Sequence, residues 1–94
     1  MTAGLVIEVR RPERAELERL GVFGWGIWEK EPSTFPWTYD AEEVCYVLEG
    51  DVVVTPDGGG EPVTIGPGDL VTFPAGLSCT WEVRGAIRKH FTFR

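Results

Sequence analysis

The 94-residue chain holds few of the residues that mark common functions: two cysteines, one histidine, and nine lysines and arginines against fifteen aspartates and glutamates. The resulting formal charge of −6 argues against nucleic acid or an anionic membrane as partner, because both are held by clustered Lys and Arg. With His90 as the only histidine, no Ser-His-Asp arrangement can be assembled from the sequence. Cys45 and Cys79 lack the close spacing of a zinc or redox motif, and a structural disulfide is not expected in a cytosolic protein. No apolar run approaches the roughly 18 residues of a membrane span. Met1–Glu8 lacks the basic, then apolar, then small-residue layout of a secretion signal, so a cytoplasmic location is expected. Internal repeats and low-complexity tracts are absent, and no linker exceeds Pro56–Gly60. A chain of this length buries about 60–65% of its unfolded surface, enough for one core, so residues 1–94 are read as one domain.

What is present is 43% apolar and 26% charged residues, the balance of an ordinary globular domain. Arg11–Gly21 carries Pro early, acids in its first turns and Gly where a helix would stop, which predicts one short helix over about residues 12–20. Its large apolar residues, Leu17 and Leu20, make a narrow face that would lie on a larger body. From Val22 onward the apolar period falls to about two, in short runs rich in Val, Ile, Phe, Tyr, Trp and Thr. The expected strands are Leu5–Arg10, Gly24–Glu31, Trp37–Tyr39, Glu43–Glu49, Asp51–Thr55, Glu61–Ile65, Leu70–Phe73, Cys79–Val83 and Ile87–Phe93. Turns are expected at Leu48–Asp51, Pro56–Gly60, Gly66–Asp69, Pro74–Gly76 and Arg84-Gly85. The fold class is therefore all-β, a sandwich or barrel. Both faces of Glu43–Glu49 are largely apolar, so one faces the core and the other is covered by a sheet edge, the helix or a second subunit. A homodimer through an apolar outer sheet is the expected assembly.

Two stretches then resemble the paired motifs of the cupin superfamily. The first motif is Gly, five residues, His-x-His, three or four residues, Glu, six residues, Gly. Glu31 stands at its opening Gly, Trp37-Thr38-Tyr39 at His-x-His, Glu43 at Glu and Gly50 at the closing Gly. The second motif, Gly, five residues, Pro-x-Gly, two residues, His, three residues, Asn, is met by Gly68, Pro74-Ala75-Gly76, Cys79 and Val83. With Trp28-Glu29-Lys30 ahead of it, the pattern is similar to the small single-domain cupins of the ureidoglycine aminohydrolase-like type. The resemblance implies a double-stranded β-helix, the cupin jelly-roll barrel, over about residues 22–94 with one short N-terminal helix. It also places Trp37, Tyr39, Glu43 and Cys79 where such a barrel holds a divalent metal.

Only Glu43 and Cys79 of those four are ordinary ligands, too few for a first-row metal, so no metal or other cofactor is expected. The same positions can instead form an organic pocket with Trp37 and Tyr39 as walls, Trp81 deeper and Glu43 as polar anchor, or the rings can simply fill the barrel. A carboxylate among aromatic rings is costly unless paired or protonated. Glu43 is thus either a general acid/base or the structural partner of Arg88, Lys89 or His90. Cys79 is a candidate nucleophile or an inert buried thiol, and Cys45 an inert one. Ile87, Phe91 and Phe93 share one parity with Lys89, which puts His90, with Arg88 and Thr92, on the outside. Trp25 and Trp28 are expected to cover a sheet or subunit face.

The leading expectation is a small-molecule-binding protein whose ligand meets Trp37, Tyr39, Glu43, Cys79 and Trp81. An enzyme acting on a small amide, ureide or amine and an accessory dimer with a closed barrel are the alternatives.

Overall fold

The computed structural model describes residues 5–94; Met1 to Gly4, part of the expected domain and leader reading, lie outside them. The elements are β1 (Glu8–Arg10), α1 (Arg14–Leu20), a 3-10 turn (Val22–Gly24), β2 (Gly26–Lys30), β3 (Ser33–Thr38), β4 (Glu43–Pro56), β5 (Val63–Ile65), β6 (Leu70–Phe73) and β7 (Ser78–Phe93). The strands form one antiparallel sheet in the order β1-β6-β4-β7-β2, with β3 on β7 and β5 on β4. Among the described residues no helix is long and apolar enough to cross a membrane.

Two long strands make the barrel. The first half of β4 pairs with β6 and its second half with β5, while β7 pairs first with β3 and later with β2. Each long strand therefore serves both layers of the folded sheet. Nine strands were expected, but Gly50 and Gly85 do not turn the chain back. They sit where β4 and β7 bend together, at register shifts between Val47 and Val52. A bulge of this kind bends a strand and switches which parity faces inward. Glu43, Cys45 and Val47 point inward before it, Val52 and Val54 after it, all buried. Gly50 takes φ +127°, and a Cβ there would lie 2.8 Å from Ile87 Cα, so only glycine lets β7 approach.

Other expected boundaries also move. The strand expected at Trp37–Tyr39 begins earlier and ends one residue sooner, as Ser33–Thr38, with Tyr39 just past it. Pro36 is tolerated in β3, which pairs only with β7 and so needs no second row of donors. Leu5–Arg10 shortens to Glu8–Arg10, and Gly24 belongs to the 3-10 turn that precedes β2. The helix starts at Arg14, two residues late, since Glu13 is extended at φ −73° and ψ 161° and its carbonyl accepts from the amides of Glu16 and Leu17. Gly21 at φ 78° ends it, and its N–H returns to Glu18 O. Leu17 is buried, but Leu20 is 38% exposed, so the packing face is narrower than the spacing suggested.

Two apolar clusters result. The larger fills the barrel with Cys45, Val47, Val52, Val54, Phe73, Cys79, Trp81 and Ile87 among others. The smaller joins Leu17 and Val22 to Val44 and Leu70 on the outer face. The helix and its 3-10 extension thus cover the second apolar face of β4.

Candidate functional site

Short cross-strand pairings bring aromatic rings to one end of the barrel interior. Trp28 on β2 stands opposite Lys89 on β7, Phe35 on β3 opposite Trp81, and Trp37 opposite Cys79. Opposed residues share a face, so β7 gathers the inward side chains of β2 and β3 around its own Trp81 and Lys89. The Phe35 and Trp81 rings stack at 6.1 Å, and Trp28 meets Trp81 edge-on at 5.9 Å. Tyr39, just past β3, stacks on Phe73 at 4.8 Å, and its hydroxyl accepts from Trp81 Nε1 at 3.1 Å. These contacts fix the walls in place.

Between the walls lies a cavity of about 240 Å³, lined by Trp28, Phe35, Trp37, Tyr39, Glu43, Trp81, Lys89, Phe91 and Phe93. Its interior end is buried and its mouth is open, where Trp37 is 48% and Phe93 53% exposed. The charged groups are Glu43 and Lys89. Lys89 Nζ donates to Glu43 Oε2 at 2.8 Å, and the side chains are 5% and 6% exposed respectively. The ammonium also lies 5.0 Å from the Trp28 ring centre and 4.8 Å from that of Trp81. Both rings offer their π charge to the cation, which offsets part of its lost hydration. Of the partners weighed for Glu43, Lys89 is the one that reaches it; Arg88 pairs instead with Glu29 outside, at 3.3 Å.

The expected site residues are distributed as follows. Trp37, Tyr39, Glu43 and Trp81 line the cavity together. Cys79 does not: it is fully buried in the core cluster of the barrel, with its Sγ 3.6 Å from Trp37 O. Burial, then the charge of Asp57, pushes its thiol up to about 11, and burial pushes Cys45 to about 12. Both are poor nucleophiles in that state. His90 lies on the outer layer as its parity implied, yet it is buried, with Phe23 edge-on at 5.7 Å. It faces away from Glu43 and Cys79. Trp28 was expected on an outer face and instead lines the cavity; Trp25 does pack on the outer cluster. Phe35, Lys89, Phe91 and Phe93 were missed as lining residues, although the parity shared by Lys89, Phe91 and Phe93 carried the signal.

The donors present do not suit a divalent cation. Glu43 is already paired with an ammonium. Burial, with Glu43 and Cys79 nearby, raises the Tyr39 phenol above its ordinary range, so it stays protonated. Among the described residues no three His, Cys, Asp or Glu side chains come together. A metal site needs three or four such donors.

Comparison with known proteins agrees with this architecture. A protein of the DUF861 family from Thermotoga maritima superposes with a TM-score of 0.92 at 46% identity, over 95% of this chain and all of that one. The EutQ protein of Clostridium difficile superposes with a TM-score of 0.65 at 28% identity, over 72% of this chain and 52% of that one. Among curated proteins, one named acetate kinase EutQ from Clostridioides difficile is 31% identical over 67 residues, 71% of this chain. The chain spans only 41% of that relative's length. The EutQ-like cupin domain model matches residues 17–91, most of the barrel and its covering helix, and the chain therefore belongs to the EutQ-like cupin family.

Proposed function

We propose that this cupin binds a small organic molecule in the aromatic cavity, over the Glu43–Lys89 pair and without a metal. The observation that carries the reading is an ion pair kept at the inner end of a cavity that the rings leave open. Apolar walls with a few converging polar groups are the usual composition of a small-molecule site. The 240 Å³ cavity lies below the roughly 300–1,000 Å³ usual for ligand pockets, so the ligand is small. Trp37 is the exposed gate residue, Tyr39 and Trp81 are fixed walls, and Glu43 and Lys89 are the polar contacts.

A thermal-shift panel of small amines, ureides, sugars and short carboxylates tests this. The ureides cover an aminohydrolase-like activity, and acetate covers the name of the EutQ relative. A shift that is lost in Trp37→Ala and Glu43→Gln supports the pocket. Unchanged shifts in both variants would end it, and stoichiometric native metal by elemental analysis would end the metal-free part.

A homodimer remains the proposed assembly. Helix α1 covers much of the outer face, and the exposed apolar residues on that side include Leu20, Phe23 and, on the edge strand β2, Ile27.

A further inference from the structure

We propose that Lys89 is a carbonyl-capturing amine, which condenses reversibly with a small aldehyde or ketone in the cavity while Glu43 moves the protons. The inference rests on the cavity being a ligand site and adds the class of ligand. The chain has two lysines. Lys30 is half-buried, 3.8 Å from Glu31 and 5.6 Å from the Phe35 ring centre, and does not line the cavity. Lys89 is buried, lines the cavity, and has Glu43 as its single hydrogen-bonding partner among the described residues. Its remaining ammonium surface faces the indoles of Trp28 and Trp81.

An amine in apolar surroundings with a carboxylate in hydrogen-bonding reach is the arrangement that Schiff-base chemistry needs. The ammonium passes a proton to Glu43 Oε2 along the 2.8 Å bond, which leaves two neutral groups where charges are costly. The Nζ lone pair then attacks the carbonyl carbon; the C–N bond forms, and the carbonyl π pair moves to oxygen, which takes the proton from Glu43. Nζ next gives a proton back to Glu43. Finally the nitrogen lone pair forms C=N as the C–O bond breaks, and the departing hydroxyl takes that proton and leaves as water. Ammonium plus carbonyl has become iminium plus water, with no oxidant or reductant. Glu43 is a carboxylate again and faces a cation in the same place. The ion pair is thus a resting state that the product reproduces.

The test uses the wild-type protein, benzaldehyde and sodium cyanoborohydride at neutral pH, with peptide mapping by mass spectrometry. Reduction fixes an adduct equal to the aldehyde less one oxygen. The expected result is labelling at Lys89 ahead of Lys30, by about 100-fold if the acid/base pair acts at usual efficiency. Labelling of Lys30 as fast as or faster than Lys89 overturns the proposal. Benzyl alcohol, of similar shape without the carbonyl, separates the two readings in a thermal-shift assay. A shift with benzyl alcohol but no Lys89 label leaves the pocket and removes the capture chemistry; no shift and no label removes both.

Discussion

The Lys89 ammonium and the Glu43 carboxylate meet at 2.8 Å, although they leave the sheet at different levels: Glu43 stands opposite Phe93, and Lys89 opposite Val47. The pair is held by the length of the lysine stem as much as by register, and it belongs to the inner end of the cavity and to the barrel's core at once.

Removing one partner should therefore cost stability. Glu43→Gln or Lys89→Met strands the other group, and breaking a buried pair costs about 3–5 kcal/mol, with the low end expected beside an open cavity. The double variant Glu43→Leu/Lys89→Met should recover to within about 1 kcal/mol of wild type, since apolar replacements of buried pairs are often neutral. Urea unfolding of the three proteins reads the coupling. Equal losses that simply add in the double variant would show that the two groups do not act as a pair.

The rings of the cavity divide by role. Trp37→Ala should change stability by no more than about 0.5 kcal/mol, as for an exposed site, while abolishing ligand-induced shifts. Trp81→Ala removes a buried indole in contact with Trp28, Phe35, Phe73 and Tyr39 and should cost about 3–5 kcal/mol. Thermal unfolding with and without ligand checks both. A destabilised Trp37→Ala protein would make Trp37 part of the core.

The bend of the long strands depends on Gly50. Gly50→Ala should destabilise by about 3 kcal/mol or more, from an unfavourable backbone region together with the collision against Ile87. Gly58→Ala is the control, with φ +82° but open space around it, and should cost only about 1 kcal/mol. Similar losses at both positions, measured by urea unfolding, would mean that close approach of β7 does not constrain the bend.

The cysteines give a pH dependence. Burial raises both thiols from an ordinary value of 9.0, to about 11 at Cys79 and about 12 at Cys45. The fold thus prefers the protonated thiol. This contribution is complete below pH 9 and is lost as pH rises through those values. The melting temperature should fall across that window and fall less steeply in Cys79→Ala, and at pH 8 a thiol reagent should label neither cysteine until the protein is unfolded. Rapid labelling of native Cys79 would restore it as a nucleophile.

Much of this was legible from the residues. Motif spacing put Trp37, Tyr39 and Glu43 together because each keeps its position in a barrel whose turns are spelled out by Gly and Pro; it put Cys79 there too, whose side chain does not line the cavity. The parity of Lys89 with Ile87 and Phe91 already put it inside. What could not be read was non-local. Trp28 and Phe35 join the site only because β2 and β3 both pair with β7, and a turn signal at Gly50 or Gly85 looks the same whether the chain reverses or bends. Leu20 shows the limit of helix spacing: a three-residue interval allows a shared face but does not say what covers it.

The cavity above Glu43 and Lys89 is proposed to take up a small organic molecule. A crystal structure of the protein grown with the most strongly stabilising compound of the thermal-shift panel tests it most directly. Density for that compound is expected between Trp37 and the Lys89 ammonium, in contact with the Trp28 and Trp81 rings. A coordinated cation on Glu43, or a cavity closed by Trp37 with the compound elsewhere, would contradict it.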